Sequence, residues 1–168
     1  MVFAGAGLLL NLACWKWGDW RQWRQYYPTM LFFIVGNMTC DLLLYQKPLW
    51  EFTDIIGSYV FLSIGLMLLL YPATVILFFT FLPSKPAIQV VYILLWTAVY
   101  AFVELISLRL NLFAYHNGWN FYYTIAHNIF MFALIRLHFS RPLLSWPAAA
   151  LMAFAIIWFF RIPIELVR

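Results

Sequence analysis

Charged residues are scarce in this chain. Only 10% of its 168 residues are Asp, Glu, Lys or Arg, whereas 66% are hydrophobic and the mean hydropathy is +0.88. A soluble domain takes about half of its residues from the apolar types and about a quarter from the charged ones, so this composition excludes an ordinary water-soluble domain. A backbone surrounded by lipid must satisfy its own hydrogen bonds, and apolar stretches of about 20 residues do so as helices. The sequence therefore predicts an all-α fold, a polytopic transmembrane bundle of five or six spanning helices.

Cysteine and the common catalytic motifs are also scarce. Cys14 and Cys40 are isolated thiols without Cys-x-x-Cys spacing, so neither a disulfide framework nor a zinc site is indicated. The sequence contains no phosphate-binding glycine loop, no Gly-x-Ser-x-Gly and no His-Glu-x-x-His. We therefore expect no cofactor and no resident metal, and we favour a protein that is not an enzyme.

Prolines and polar turns divide the apolar sequence into segments. A single membrane domain, 1–168, is predicted to begin with a short apolar segment and a Trp/Arg-rich interfacial anchor over 1–27, followed by a helical bundle over 28–163. These prolines and polar turns, which break helices, predict bundle helices over 28–46, 54–82, 87–109, 119–138 and 143–162, with a kink or interruption at Tyr71-Pro72. The first 15 residues form a helix of only about 22 Å at 1.5 Å per residue, so this segment either spans the bilayer or lies at its interface.

Lysine and arginine collect at two ends of the predicted bundle. Six lie at one end (Lys16, Arg21, Arg24, Lys85, Arg136, Arg141) and four at the other (Lys47, Arg109, Arg161, Arg168). Because basic residues are retained on the cytoplasmic side, we predict that the first end is cytoplasmic and that the carboxyl terminus is outside. The expected partners are the lipid bilayer and, at the basic inner face, anionic lipids. Nucleic-acid binding is not expected, and the sequence indicates no protein partner.

Polar residues recur at helical spacing inside three apolar segments. They are Asn37 and Asp41 in the first, Thr97, Tyr100, Glu104 and Ser107 in the second, and Asn120, Thr124, His127 and Asn128 in the third. Residues three or four apart share a helix face. Since Asp41, Glu104 and His127 lie at similar depth on the outer side of the midplane, they are predicted to meet in one outward-facing pocket, with 115–120 as its rim.

Glu104 is the first functional candidate, because a carboxylate at membrane depth costs about 2.5–3.5 kcal/mol on insertion scales and usually faces the bundle interior. The candidates for ligand binding or proton handling are Glu104, Asp41, His127, Asn37, Tyr100, Asn128, His116, Trp119, Asn120 and Arg109. They predict a binding or transport-related component for a small molecule, an ion or a lipid headgroup. One alternative is a structural subunit whose polar residues fix helix packing. Another is an intramembrane enzyme acting on a lipid or isoprenoid-like substrate, with Glu104 as acid or base and Asp41 or His127 as its partner.

Four sequence features together resemble a known group of proteins. They are Tyr71-Pro-Ala-Thr74, Glu104 in its apolar segment, Tyr115-His-Asn-Gly-Trp119 and Arg136-Leu-His138. Over about 28–138 the chain resembles a family of small polytopic membrane proteins from spore-forming Gram-positive bacteria, a family without an assigned activity. The resemblance implies a location in the bacterial cytoplasmic membrane, and it implies Glu104, His116 and Trp119 as shared residues.

Overall fold

A computed structural model describes residues 2–53 and 59–163, and these residues are predominantly helical. Six helices follow one another along the chain: α1 (Val2–Trp17), α2 (Trp23–Leu43), α3 (Tyr59–Thr80), α4 (Pro86–Arg109), α5 (Phe121–Ser140) and α6 (Pro142–Phe159). A single 3-10 turn, Trp20–Gln22, connects α1 to α2. Two short strands, β1 (Trp50–Phe52) and β2 (Phe113–Tyr115), complete the fold. The helical class predicted from the sequence is confirmed.

Helices α2 and α3 run in opposite directions. The hydroxyl of Tyr71 on α3 donates to Asn37 Oδ1 on α2 over 2.8 Å, and near the other end of both helices the rings of Tyr26 and Phe79 stack with their centroids 5.5 Å apart. Helices α4 and α5 are also antiparallel. Arg136 near the end of α5 hydrogen-bonds Gln89 near the start of α4, and Thr124 near the start of α5 hydrogen-bonds Glu104 near the end of α4. Helices α2, α3, α4 and α5 thus form an up-and-down core, and α6 packs against α5.

Helix α1 lies parallel to α3. Asn11 Nδ2 donates to the carbonyl of Leu69 over 3.2 Å, and the backbone N–H of Asp19 donates to Thr80 Oγ1 over 2.9 Å. The backbone just after α1 comes close to α3 at Gly18, where an added Cβ atom would lie 2.8 Å from Ile76 Cγ2. The first apolar segment is therefore aligned with the bundle helices and does not lie across their ends.

Aromatic side chains fill the end of the bundle where α1 joins α2. Phe78 and Phe132 are fully buried, and their rings stack with centroids 5.6 Å apart. At the same end Thr29 Oγ1 hydrogen-bonds His138 Nδ1 over 2.9 Å, which ties the start of α2 to the end of α5. This half of the bundle is packed with apolar side chains, so the polar stripes converge in the other half.

The two strands were not predicted from the sequence. They pair antiparallel in the register Trp50 with Tyr115, Glu51 with Ala114 and Phe52 with Phe113. Each has only three residues, and the loops that carry them are far apart in sequence, so neither strand shows a readable alternation of its own. Their pairing connects the α2–α3 loop to the α4–α5 loop.

Several helix bounds differ from the predicted ones. Helix α2 begins at Trp23, so Pro28 lies inside the helix and not at its start; the anchor segment 1–27 therefore ends in bundle helix. The helix continues through this proline because Tyr26 and Thr29 on either side are buried against neighbouring helices. Helix α3 is continuous through Pro72, so the expected interruption is absent in its described part, and the predicted start at 54 lies outside the described residues. Helices α4, α5 and α6 lie within about three residues of their predicted bounds.

Two of the described helices, α4 and α6, are long and apolar enough on their own to cross a membrane. In α4 only 17% of the residues in the most apolar stretch are buried, and in α6 only 6%. Both helices therefore present apolar side chains to the surroundings of the protein.

Candidate functional site

A cavity of about 130 Å³ lies between α2, α3, α4 and α5, at the end of the bundle where α2 and α4 end and α5 begins. Seven of the ten predicted site residues line this cavity: Asn37, Asp41, Tyr100, Glu104, Trp119, His127 and Asn128. The remaining lining residues are Trp50, Phe52, Leu70, Tyr71, Phe113, Thr124 and Met131. We refer to it as the polar cavity.

Glu104 accepts two side-chain hydrogen bonds at the polar cavity. Its Oε1 atom accepts one hydrogen bond from the hydroxyl of Tyr115 over 2.6 Å and another from Thr124 Oγ1 over 2.8 Å. Thr124 Oγ1 in turn accepts from Trp119 Nε1 over 2.9 Å. The two donors to Glu104 come from the strand β2 and the first turn of α5, and Trp119 in the loop before α5 joins the network through Thr124.

The second carboxylate oxygen, Glu104 Oε2, makes no hydrogen bond to any residue within 2–53 and 59–163. The two donors hold the carboxylate in one orientation through Oε1 and leave Oε2 available on a group that lines the cavity. A carboxylate accepts through both oxygens, so Oε2 has the capacity to accept a further hydrogen bond.

Tyr115 is held as a neutral donor. Burial, together with its hydrogen bond to Glu104, raises the pKa of the Tyr115 phenol above its ordinary value. The hydroxyl therefore stays protonated across the physiological pH range and donates a hydrogen bond to the carboxylate.

Two further hydrogen bonds orient polar side chains in the cavity wall. Tyr71 OH donates to Asn37 Oδ1, and Thr74 Oγ1 lies 2.6 Å from the hydroxyl of Tyr100. Asn128 differs from these residues, because its Nδ2 atom is buried and has no hydrogen-bond partner among the described residues. An unpaired buried donor is costly, so this amide marks a position where a bound polar group is stabilising.

Aromatic rings form much of the remaining wall. The His127 ring lies 5.9 Å from the Trp50 ring and 6.2 Å from the Trp119 ring, measured between centroids. Trp50 and Trp119 also contact each other, with centroids 4.9 Å apart.

The two-stranded sheet covers the outer end of the polar cavity. Alternate residues of a strand point to opposite faces, so Trp50 and Phe52 share one face of β1, and Phe113 and Tyr115 share one face of β2. Trp50, Phe52 and Phe113 line the cavity, and Tyr115 reaches Glu104 from the same side. The sheet therefore acts as a cover that also supplies one of the carboxylate's two donors.

Three predicted site residues lie elsewhere. His116 follows β2 on the outward face of the sheet, where its Nε2 atom is 2.9 Å from Glu51 Oε1 and both side chains are partly exposed. Asn120 caps the amino terminus of α5, since its Oδ1 accepts from the backbone N–H groups of Tyr122 and Tyr123. Arg109 ends α4 and is exposed, where a cation stabilises the helix carboxyl terminus. The predicted rim 115–120 is therefore divided between the cavity, the outer surface and a helix cap.

Several residues that contribute to the site carry little signal in the sequence. Tyr115 and Thr124 were placed in the rim and in a polar stripe, but their contact with Glu104 depends on the strand pairing, which the sequence did not reveal. Trp50, Phe52 and Phe113 carry no signal as site residues, because aromatic residues are abundant throughout the chain. Tyr71 lies three residues before Thr74 in the apolar helix α3. Its hydroxyl group was the one signal for a role in the site.

The charges that line the polar cavity are acidic. Asp41 and Glu104 contribute carboxyl groups, and no Lys or Arg occurs among the lining residues that the structure describes. Although Asp41, Glu104 and His127 are residue types that ligate metals, no three His, Cys, Asp or Glu side chains in the described ranges are grouped closely enough to hold a metal ion. The arrangement favours an uncharged polar or positively charged molecule over an anion.

Comparison with protein-family models, with curated proteins and with solved structures gives no match for this chain. The resemblance to the family from spore-forming bacteria therefore stays a prediction. Two of its three implied residues, Glu104 and Trp119, line the polar cavity, whereas His116 lies outside it.

Proposed function

We propose that this chain is a multi-pass protein of the bacterial cytoplasmic membrane in which all six helices span the bilayer. Exposed apolar helices support the proposal: a core helix of a soluble protein is mostly buried, whereas the apolar stretches of α4 and α6 are 17% and 6% buried. Contiguous exposed apolar surface of this kind is stable in lipid and prone to aggregation in water.

The other helices are consistent with spanning once their polar residues are placed. Helices α2 and α5 have 21 and 20 residues, enough for about 30 Å at 1.5 Å per residue. Their polar residues reduce their average hydropathy, but Asn37, Asp41, His127 and Asn128 face the polar cavity and not the lipid. Helix α1 is shorter, and its parallel alignment with α3 favours a span over an interfacial position.

The distribution of basic residues supports an inner end at the α1–α2 connection. Arg136 donates from Nε to Gln89 Oε1 over 3.1 Å there, and Lys85 lies at the start of α4. At the opposite end, Lys47 Nζ donates to the carbonyl oxygens of Phe160 and Arg161. Arg168 lies outside the described residues. With the basic end cytoplasmic, the polar cavity and its two-stranded cover face outward.

Within this framework the protein functions as a binding or transport-related component for a small polar molecule, an ion or a lipid headgroup. The observation that carries this function is the second oxygen of Glu104, which has no hydrogen-bond partner among the described residues and belongs to a carboxyl group fixed by two hydroxyl donors. The wall of the same cavity also contains the Asn128 amide, whose buried Nδ2 atom likewise has no partner within the described ranges.

The test is ligand-dependent thermal stability of the purified protein in lipid nanodiscs. Wild type, Glu104→Gln and a matched control, Glu51→Gln, are heated with sodium, potassium, calcium, small amines, small carboxylates and phospholipid mixtures. A ligand at 100 times its dissociation constant stabilises the folded state by about 2.7 kcal/mol. We expect at least one ligand to raise the melting temperature of wild type and of the Glu51 variant but not of the Glu104 variant. If all three proteins respond alike to every addition, Glu104 is not part of a binding site for these ligands.

A structural subunit is the second candidate function, and the interhelical hydrogen bonds favour it. Asn37 with Tyr71, Thr74 with Tyr100 and Glu104 with Thr124 each join two helices, as polar residues in membrane bundles do. This alternative predicts that Glu104→Gln, which keeps an oxygen acceptor in place, folds and melts like wild type under every condition.

A further inference from the structure

A second cavity adjoins the polar cavity. It measures about 210 Å³, lies between α2, α5 and α6, and is lined mainly by apolar side chains. Four residues form part of both walls: Asn37, Trp50, His127 and Met131. We refer to it as the apolar cavity.

The apolar cavity reaches the surface of the bundle between α2 and α6. Thr39 on α2 and Trp146 and Ala150 on α6 line it, and all three are exposed. Small residues on the same two helices, Gly36 and Ala153 among them, leave the space open. In a bilayer this opening faces the acyl chains, so an apolar chain has a direct lateral path into the protein.

The chemistry of the polar cavity selects the head of such a molecule. Glu104 and Asp41 are acidic, and the described lining includes no basic side chain, so an anionic head is repelled and a cationic one is attracted. Trp50 and Trp119 add aromatic rings, which attract ammonium groups through cation–π interactions. The buried donor Asn128 Nδ2 requires an acceptor, which a hydroxyl beside the ammonium group supplies.

We propose that the two cavities form one site for an amphiphile from the bilayer, with a hydroxyl-bearing ammonium head in the polar cavity beside Glu104 and an apolar tail in the apolar cavity between α2 and α6. The inference rests on the proposed binding function and specifies its ligand class. Ligand sites are commonly concave, mostly apolar and provided with a few convergent polar groups, as the joined cavities are.

The experiment uses the full chain in nanodiscs and four probes that separate the head from the tail. They are 2-aminodecan-1-ol, decanoate, decan-1-ol and the short 2-aminobutan-1-ol. Melting temperature is recorded against probe concentration for wild type, Glu104→Gln and Glu51→Gln, with Asp41→Asn as a second variant should Glu104→Gln not fold. Bilayer perturbation by the probes is common to all variants, so only differences between variants report the site.

We expect 2-aminodecan-1-ol to stabilise wild type and Glu51→Gln at concentrations at least tenfold lower than it stabilises Glu104→Gln or Asp41→Asn. The cation preference is overturned if decanoate or decan-1-ol shows the same Glu104 dependence instead, an outcome that leaves the proposed binding function intact. If no probe, ion or lipid distinguishes wild type from Glu104→Gln, the proposed function fails together with this inference.

The tail is tested separately by filling the apolar cavity. Ala153→Phe places a ring in that space, whereas Leu143→Phe places a ring on the exposed side of α6, where Leu143 is 86% exposed. We expect Ala153→Phe to weaken 2-aminodecan-1-ol about tenfold without changing the response to 2-aminobutan-1-ol, and Leu143→Phe to change neither. Equal affinities of the long and short amines for wild type would overturn the role of the apolar cavity.

Discussion

Glu104 is both expensive to bury and well provided with partners. Its Oε1 atom accepts hydrogen bonds from the hydroxyl groups of Tyr115 and Thr124, and Thr124 Oγ1 accepts one from Trp119 Nε1. Each donor replaces part of the hydration that the carboxyl group loses inside the bundle. The network therefore explains how the residue is tolerated, and the Oε2 atom, which no described residue bonds, explains why Glu104 is a site candidate.

Tyr115→Phe tests this network at a single atom. The substitution removes one donor to Glu104 and keeps the ring, so we expect the free energy of unfolding to fall by about 1.5–3 kcal/mol, the range for a hydrogen bond to a charged group. Reversible unfolding in mixed micelles measures the change. Tyr122→Phe is the control, because Tyr122 is 81% exposed and its loss of hydroxyl should cost less than about 0.5 kcal/mol. Equal effects of the two substitutions would show that the Tyr115 hydroxyl does not stabilise the fold through Glu104.

The sequence predicted the acidic core of the site but not its donors. Glu104, Asp41 and His127 stood out because polar residues at helical spacing are rare in an apolar chain, and the structure places all three on one cavity. Tyr115 reaches Glu104 only through the pairing of β1 with β2, which is a contact between distant loops. Pairing of this kind leaves no periodic signal in two three-residue strands.

At the scale of the element, Asn120 shows how a polar residue near a site is used for helix formation. Its side chain accepts hydrogen bonds from Tyr122 and Tyr123 at 3.0 Å and 3.3 Å, so it satisfies two of the free N–H groups at the start of α5. The same helix carries Thr124, His127 and Asn128 into the polar cavity. The cap therefore positions the site without entering it.

Replacing this cap gives a prediction with an internal control. Asn120→Ala removes the side-chain acceptor, and we expect it to lower the free energy of unfolding by about 1 kcal/mol, whereas Asn120→Asp keeps the acceptor and should change it little. If Asn120 instead contacted a ligand, Asn120→Ala would abolish ligand-dependent stabilisation even where the protein remains fully folded. Melting curves with and without ligand distinguish the two results.

At the scale of the whole molecule, the alternating helix directions and the two basic ends define a topology. The segmentation of the sequence by prolines and polar turns predicted the five bundle helices, because breakers such as the Pro83–Pro86 turn are local signals, although Pro28 and Pro72 lie inside helices. It did not determine whether α1 joins the bundle, since a segment of 16 residues is close to the limit for a span. The contacts of Asn11 and Asp19 with α3 are tertiary, and they determine its alignment.

Cysteine labelling tests the proposed topology over the three helices α3, α4 and α5. In a background with Cys14 and Cys40 replaced by Ala, single cysteines are introduced at four exposed positions: Tyr45 before α3, Ser84 between α3 and α4, Leu110 after α4 and Ser140 at the end of α5. With the basic end cytoplasmic, a membrane-impermeant maleimide added to intact cells should label the cysteines at 45 and 110 and should reach those at 84 and 140 only after permeabilisation. The reverse pattern would mean that the six basic residues of the α1–α2 end face outward, against the retention of basic residues in the cytoplasm. Labelling of 45, 84 and 110 from the same side would show that α3 and α4 do not cross the bilayer, and the exposed apolar surface of α4 would then require cover from another protein.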